Sequence, residues 1–329
     1  MKKISVITTF YNSESTIKSA VDSILNQSFS NFEYILVDDG STDNSVDVIN
    51  KFVDSRITLL KPGRVGRAEA LNLGLQNSSG DYIAILDADD IVLDERFSIQ
   101  QELLNNNPDV VLVSSNAELI NEQGKVIGKT NFPTSHDELV STLIKLNPFP
   151  HSSVMYRRDN ALKIQGYNLR CEKSIDYNFY LELLLAGGKF INVDKPLIRL
   201  RSYSSSWGKN DRFGLQIRYG IIGLINYFEI KEGKKGFLRV EDSVWLEFKE
   251  TFDAWFEQRR FHKKMDAKKY FSNAGISIKN GDLKEAIFSF FKTIRLDPWF
   301  WSYRGCGFNE HNDIKEFVMF FHKEKENRV

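Results

Sequence analysis

The sequence predicts an α/β fold: a Rossmann-like, mostly parallel central sheet flanked by helices, followed by a helical C-terminal region. Three observations carry this prediction. Over the first ninety or so residues, short apolar runs alternate with helical stretches through short polar loops, the pattern of strands joined by crossover helices. Three of those runs end in hydroxyl or carboxylate residues instead of apolar ones. After about residue 207 the strand pattern stops, and helical periodicities rich in Phe, Trp, Lys and Glu take over.

Ile4 to Phe10 reads as a buried strand, and Tyr11-Asn12-Ser13 as a loop with capping residues. Ser15 to Asn26 shows helical spacing at Ile17, Ala20, Val21, Ile24 and Leu25. Phe32 to Val37 is a second strand, running into Asp38-Asp39-Gly40-Ser41-Thr42-Asp43. A helix over Ser45 to Phe52, a strand over Ile57 to Leu60, a loop over Pro62 to Arg67 and a helix over Ala68 to Leu75 follow. The turn signal Ser79-Gly80-Asp81 then opens a fourth strand, Tyr82 to Leu86, which runs into Asp87-Ala88-Asp89-Asp90. Beyond it come a helix over Phe97 to Asn105 and a strand over Val110 to Ser115. A hairpin turning at Asn121 to Lys125 and a loop over Asn147 to Ser153 complete this region.

Three carboxylates within four positions are an unusual way to finish a buried strand, because unpaired ionised carboxylates in apolar surroundings are costly. They belong at the strand's carboxyl end, on a cleft, where ligands bind in open α/β sheets. There they could share a hard divalent cation, Mn2+ or Mg2+. Alternatively, Asp89 or Asp90 caps a following helix. Thr9 and Tyr11, Asp38 and Asp39, and Asp87 and Asp89 fall on the same predicted edge, which favours a site over a cap. There is no Gly-x-Gly-x-x-Gly after the first strand and no Gly-x-x-x-x-Gly-Lys-Ser/Thr loop. A nucleotide could still bind through a metal, Arg64 or Arg67, and the polar strand ends.

The chain has 329 residues, with 44 basic and 44 acidic side chains, and nothing global suggests nucleic acid. Residues 208–329 carry 23 basic and 18 acidic side chains, which leaves residues 1–207 with 21 and 26. The acidic half suits a metal; the basic, aromatic half could face an anionic polymer or a membrane, or simply present a solvated helical surface. Cys171 and Cys306 are the only cysteines, so no disulfide framework is implied and a reducing cytoplasm is the expected compartment. Met1-Lys2-Lys3 leads straight into a strand, too short for a signal peptide, and no apolar run reaches the length of a membrane span.

The motifs, taken in order, resemble the inverting glycosyltransferases of family 2, which have the GT-A fold. The resemblance covers roughly residues 1–207. It rests on Ser5 to Asn12, Gln27-Ser28-Phe29, Val37 to Asp43, Gly66 to Gly74, Gly80 to Asp90 and His151 to Arg157. The first segment is particularly similar to spore-coat polysaccharide transferases. The resemblance implies a catalytic domain over 1–207, with a nucleotide-sugar half over about 1–115 and an acceptor half over about 116–207. Residues 208–329 then form a helical domain.

The resemblance also implies residue roles for a UDP-sugar donor and a saccharide or lipid-linked acceptor. Thr9, Tyr11 and Asp39, with neighbouring Asp38 and Ala88, would hold uracil and ribose. Arg67 or Arg64 would face the diphosphate. Asp89 would bind the metal, and Asp87 the ribose or a metal-bound water. The general base matches Asp176, which could equally cap the helix that follows.

Two departures stand out. Ile175 replaces the glutamate that commonly precedes the base. Arg199-Leu200-Arg201 replaces Arg-x-His, so Arg201 would contact the diphosphate or leave the metal a water ligand. Ser202 to Gly208 is expected to be a mobile loop or a linker, and His151 a structural residue or an acceptor contact. Two other functions fit the same chemistry: a nucleotidyltransferase, or a non-catalytic nucleotide-sugar-binding module.

In the C-terminal third, Leu215 to Phe228, Val240 to Arg260, Lys263 to Ser277 and Leu283 to Arg295 read as helices. Trp299 to Arg304 is aromatic and basic, suited to core packing or to a peripheral contact.

Overall fold

The computed structural model describes residues 3–202, 213–258, 317, 318 and 321. The expected helices at 263–277 and 283–295, the stretch 299–304, the loop through 203–208 and Cys306 lie outside the described residues. Contacts divide the chain into two units, Met1–Asn210 and Asp211–Val329.

In the first unit, β1 (Ile4–Phe10), β2 (Phe32–Asp38), β3 (Ile57–Leu60) and β4 (Tyr82–Ile85) form a parallel block ordered β3-β2-β1-β4. Then follow β5 (Ile91–Val92), β6 (Val110–Ile120), β7 (Val126–Lys129), β8 (Met155–Arg157) and β9 (Lys189–Arg201). The sheet continues from β4 through β8, β6 and β9 to β5, with β7 paired to β6. β8 runs antiparallel to both β4 and β6, so the second half is mixed.

The helices cover both faces. On α1 (Ile17–Leu25) the buried positions Ile17, Ala20, Val21 and Ile24 pack with Ile4, Val6, Tyr34 and Leu36. After the short α2 (Ser45–Ile49), α3 (Arg67–Gln76) lies on the opposite face, where Ala70 packs with Ile35 and Val37. The period-2 alternation of strand side chains divides the core between these helices. At Gly74 a Cβ would stand 2.6 Å from Ile7 Cγ2, so α3 approaches β1 more closely than any larger residue allows.

Register explains how the site is assembled. Phe10 pairs with Asp38 and Ile7 with Ile85, so β1, β2 and β4 end near one line. Beyond β4 the chain does not enter a helix at Asp89 or Asp90. It forms β5, pairing Ile91 with Arg199, and α4 (Arg96–Asn106) begins later. The strand expected over Val110 to Ser115 extends to Ile120, because β9 pairs with it along that length. α5 (His136–Leu143), a 3-10 turn at His151–Ser153, α6 (Arg158–Lys163) and α7 (Ile175–Leu185) complete the unit.

In the second unit, α8 (Phe213–Lys231) and α9 (Asp242–Gln258) are described. Phe237, Phe248, Phe252, Phe317 and Phe321 are buried in ring-to-ring contact, and Arg218 lies over Phe256. No described helix is long and apolar enough to cross a membrane.

Candidate active site

At the end of β2, Asp39 is buried and its carboxylate organises the loop between β3 and α3. Oδ1 accepts the Val65 and Gly66 N–H groups, each at 2.8 Å. Oδ2 accepts Arg64 Nη1 at 2.9 Å. Gly66 is the residue before α3 and has φ +87°, a left-handed conformation that suits glycine. Arg64 also lies over Tyr11, its guanidinium carbon 3.8 Å from the ring centroid. Tyr11 is 45% exposed, so this stack stands at the surface of the site. Asp38 is also buried, but its Oδ1 accepts the Ser41 N–H at 2.9 Å and shapes the turn after β2.

At the end of β4 the three carboxylates have different surroundings. Asp87 accepts Arg67 Nη2 at 2.6 Å, and His151 Nδ1 stands 3.2 Å from the same oxygen. Burial alone would raise the Asp87 carboxyl, but the charges of Arg67 and His151 outweigh it and hold the group well below the usual carboxylate range. The Asp87 charge in turn raises Arg67. Behind this cluster, His151 Nε2 meets the Tyr167 hydroxyl at 3.3 Å, and that hydroxyl meets Tyr156 at 3.3 Å.

Asp90 points into the protein and is 1% exposed. It accepts the Arg201 N–H at 2.8 Å and the Ser152 hydroxyl. The Ser152 oxygen accepts the Asp87 N–H at 3.0 Å. Burial, then the charges of Asp89 and Asp87, push the Asp90 carboxyl well above its usual range. The Arg201 side chain donates from Nε to the Asp89 carbonyl at 2.9 Å, and from Nη1 to the carbonyls of Asn121 and Glu122 at 3.1 and 2.9 Å. It ties the acidic segment to the β6–β7 turn.

These strand ends open onto one pocket of about 650 Å³. Thr9, Tyr11, Asp39, Arg64, Arg67, Asp87, Ala88 and Asp89 all line it. Asp38, Arg201 and Asp176 are not on its described wall. Asp176 lies in the first turn of α7, where the residue preceding the helix is Ser174, and its Oδ2 accepts Asn147 Nδ2 at 2.8 Å. The Asp176 charge is felt at Arg67, Tyr167 and Tyr180, so it stands near the Asp87 cluster.

Sequence reasoning missed several wall residues, among them Glu172 and Lys173, which reach the pocket from the loop before α7. It also missed the hold of His151 on Asp87. No local pattern announces either, because the partners are 64 or more positions apart.

The donor set suits a hard cation in one manner. Among the described residues no group of three His, Cys, Asp or Glu side chains assembles. Asp87 and Asp89 face the pocket, so an ion there would take one or two carboxylates and complete its shell with water and ligand oxygens, as Mg2+ commonly does with phosphates.

A sheet ordered β3-β2-β1-β4, extended by mixed strands and carrying acidic residues at its parallel strand ends, defines a GT-A glycosyltransferase fold. Residues 5–164 match the profile of Glycosyl transferase family 2. An uncharacterized glycosyltransferase of Haemophilus influenzae is 30% identical over 253 residues, covering 73% of this chain and 98% of that one. The chain belongs to glycosyl transferase family 2, and it is a glycosyltransferase.

The amylovoran biosynthesis glycosyltransferase AmsE of Erwinia amylovora is 28% identical over 62% of this chain and 78% of its own. The fold is also that of S. aureus TarS 1–349 crystallised with UDP-GlcNAc, with a TM-score of 0.54, 17% identity, and coverage of 89% of this chain and 92% of that one. Against the longer TarS chain the match spans 42% of that protein. Mannosyltransferase PcManGT of Pyrobaculum calidifontis, in complex with GDP-Man and Mn2+, aligns at TM-score 0.50 with 16% identity, over 71% of this chain and 65% of that one.

Proposed function

We propose that this glycosyltransferase moves a sugar from a UDP-sugar to a hydroxyl of a saccharide or lipid-linked acceptor, with inversion, in building a bacterial surface polysaccharide. The observation that carries the reading is the single pocket where the ends of β1, β2 and β4 meet Arg64 and Arg67. The UDP-GlcNAc bound by TarS and the amylovoran role in the name of AmsE support the donor and product classes.

In this reading Thr9, Tyr11 and Asp39 take the uracil and ribose, with Arg64 bordering the base. Ala88, with a small side chain on the wall, leaves room for the ligand to approach the backbone. Arg67 turns toward the diphosphate, and Asp87 and Asp89 hold Mn2+ or Mg2+. When bound, the cation offsets charge that develops on the leaving diphosphate. Asp176 takes the proton of the acceptor hydroxyl as its oxygen attacks the anomeric carbon opposite the diphosphate. The bond from that carbon to the diphosphate oxygen breaks, and UDP leaves with the electron pair. Arg201 and Asp38 act by holding the backbone around the site.

Residues 1–207 form the catalytic domain in this assignment. Residues 208–329 form a helical domain that meets a partner protein or the cytoplasmic membrane face, where a lipid-linked acceptor would lie.

A thermal-shift panel of nucleotide sugars, with and without Mn2+, tests the donor and the metal. A product assay tests the chemistry: UDP should be released. Release of pyrophosphate would mean nucleotidyl transfer instead, and a panel with no stabilising nucleotide sugar would reject the donor class.

A further inference from the structure

We propose that Lys173 is a further donor-binding residue, a cation that the loop before α7 presents to the diphosphate. This rests on the nucleotide-sugar reading above. Among the described residues three cations line the pocket: Arg64, Arg67 and Lys173. Arg64 is paired with Asp39 at 2.9 Å and Arg67 with Asp87 at 2.6 Å, so both charges are partly neutralised before any ligand arrives. Arg201 is not on the pocket wall, and its guanidinium is occupied by three backbone carbonyls. Lys173 is exposed and has no hydrogen bond or ion pair among the described residues.

Charge balance favours such a group. Among the described residues four carboxylates, Asp39, Asp87, Asp89 and Glu172, share the wall with those three cations. A nucleoside diphosphate adds more negative charge to a wall that is already net acidic. Even with a divalent ion on Asp87 and Asp89, a cation without a carboxylate partner is the cheapest one to turn toward phosphate, because no ion pair has to break first.

The backbone supports the assignment independently. Ser174 has φ +51°, a left-handed conformation that costs a non-glycine residue free energy and tends to persist at functional sites. Its bend separates Lys173, on the pocket wall, from Asp176 in the first turn of α7. Only three non-glycine residues among those described adopt positive φ, and one of the others, Asn12, also lines this pocket. A relaxed Ser174 would redirect Lys173.

The test is calorimetric titration of the full chain with UDP and with uridine at fixed Mn2+, using the wild type, Lys173→Gln and Lys173→Arg, with melting temperature as the fold control. Lys173→Gln should bind UDP about tenfold more weakly, the scale of one charge-assisted hydrogen bond. Uridine affinity should not change, and Lys173→Arg should recover most of the loss. Unchanged UDP binding by Lys173→Gln overturns the assignment and leaves the donor reading standing. An equal loss for uridine also overturns it, since that is a structural effect. A wild type that does not bind UDP overturns both.

Discussion

Replacing Asp39 by Asn removes one charge and exchanges one acceptor for a donor, with almost no change in shape. The amide oxygen can still accept the Val65 and Gly66 N–H groups, which now reach Oδ1 at 2.8 Å. The amide nitrogen then faces Arg64 Nη1, now 2.9 Å from Oδ2, as donor against donor. The Arg64 side chain is 59% exposed, so it can turn to water, and it keeps its bond to the Asp39 carbonyl at 3.0 Å. Because the Arg64 end of the pair is solvated, although Asp39 is buried, the loss of stability should be about 1 kcal/mol.

The binding effect should be larger and should depend on the base. Uracil presents an N3–H donor, and losing its bond to a carboxylate costs about 1.5–3 kcal/mol, roughly a tenfold to hundredfold loss of UDP affinity. Cytosine presents an acceptor at N3, which the amide introduced by Asp39→Asn can satisfy. The substitution should therefore narrow the preference for UDP over CDP by about tenfold or more. Calorimetric titration of wild type and variant with both nucleotides measures this directly. Equal losses for UDP and CDP, or an unchanged UDP affinity, would refute base recognition by Asp39.

The other predictions concern chemistry, packing and pH. Asp176→Ala should lower turnover by about 10²–10⁴-fold and leave UDP affinity intact; retained turnover rejects it as the base. Asp89→Ala should remove any strengthening of UDP binding by Mn2+, read by titration with and without the ion. Gly80→Ala should destabilise by about 2–3 kcal/mol in denaturant unfolding, because its Cβ would lie 2.7 Å from Ser5 N and 2.8 Å from the Lys3 carbonyl, and backbone cannot step aside. Glu33 is pushed up by burial, but bonds from Lys3, Ser5 and Ser79 outweigh this and lower it to about 2. A depressed carboxyl gives stability that is present above its unfolded value and is lost as pH falls toward 2. Glu33→Gln should thus cost about 2 kcal/mol at pH 7, discounted for partial exposure, and the gap should close by pH 2.

The parallel block was legible because each of its elements depends on local pattern. Apolar runs gave β1, β2 and β4, and helical spacing gave Ile17, Ala20, Val21 and Ile24 of α1. Parallel register then sends the ends of those strands to one edge, so Thr9, Asp39 and Asp87 could be grouped without coordinates. What could not be read was the second half of each interaction. Nothing near Asp87 announces His151, and nothing near Arg201 announces the carbonyls of Asn121 and Glu122. β5 was invisible because two residues are too few to show a period, and its pairing partner is more than a hundred positions away.

The acidic segment after β4 shows how one motif divides its work. Read as a string, Asp87, Asp89 and Asp90 are three equivalent ligands. The turn that follows β4, closed by the Asp90 N–H on the Asp87 carbonyl at 3.2 Å, makes them unequal. Asp87 and Asp89 share the pocket wall, two positions apart, while Asp90 falls on the buried side. There it accepts the Arg201 N–H and the Ser152 hydroxyl, and Ser152 accepts the Asp87 N–H. The third carboxylate therefore holds the backbone that carries the first, and joins it to the end of β9. Arg201 braces the same segment from its other side through the Asp89 carbonyl. An arginine at this position need not touch ligand to matter: it fixes the peptide from which Asp89 projects, where a shorter side chain could not also span to the β6–β7 turn.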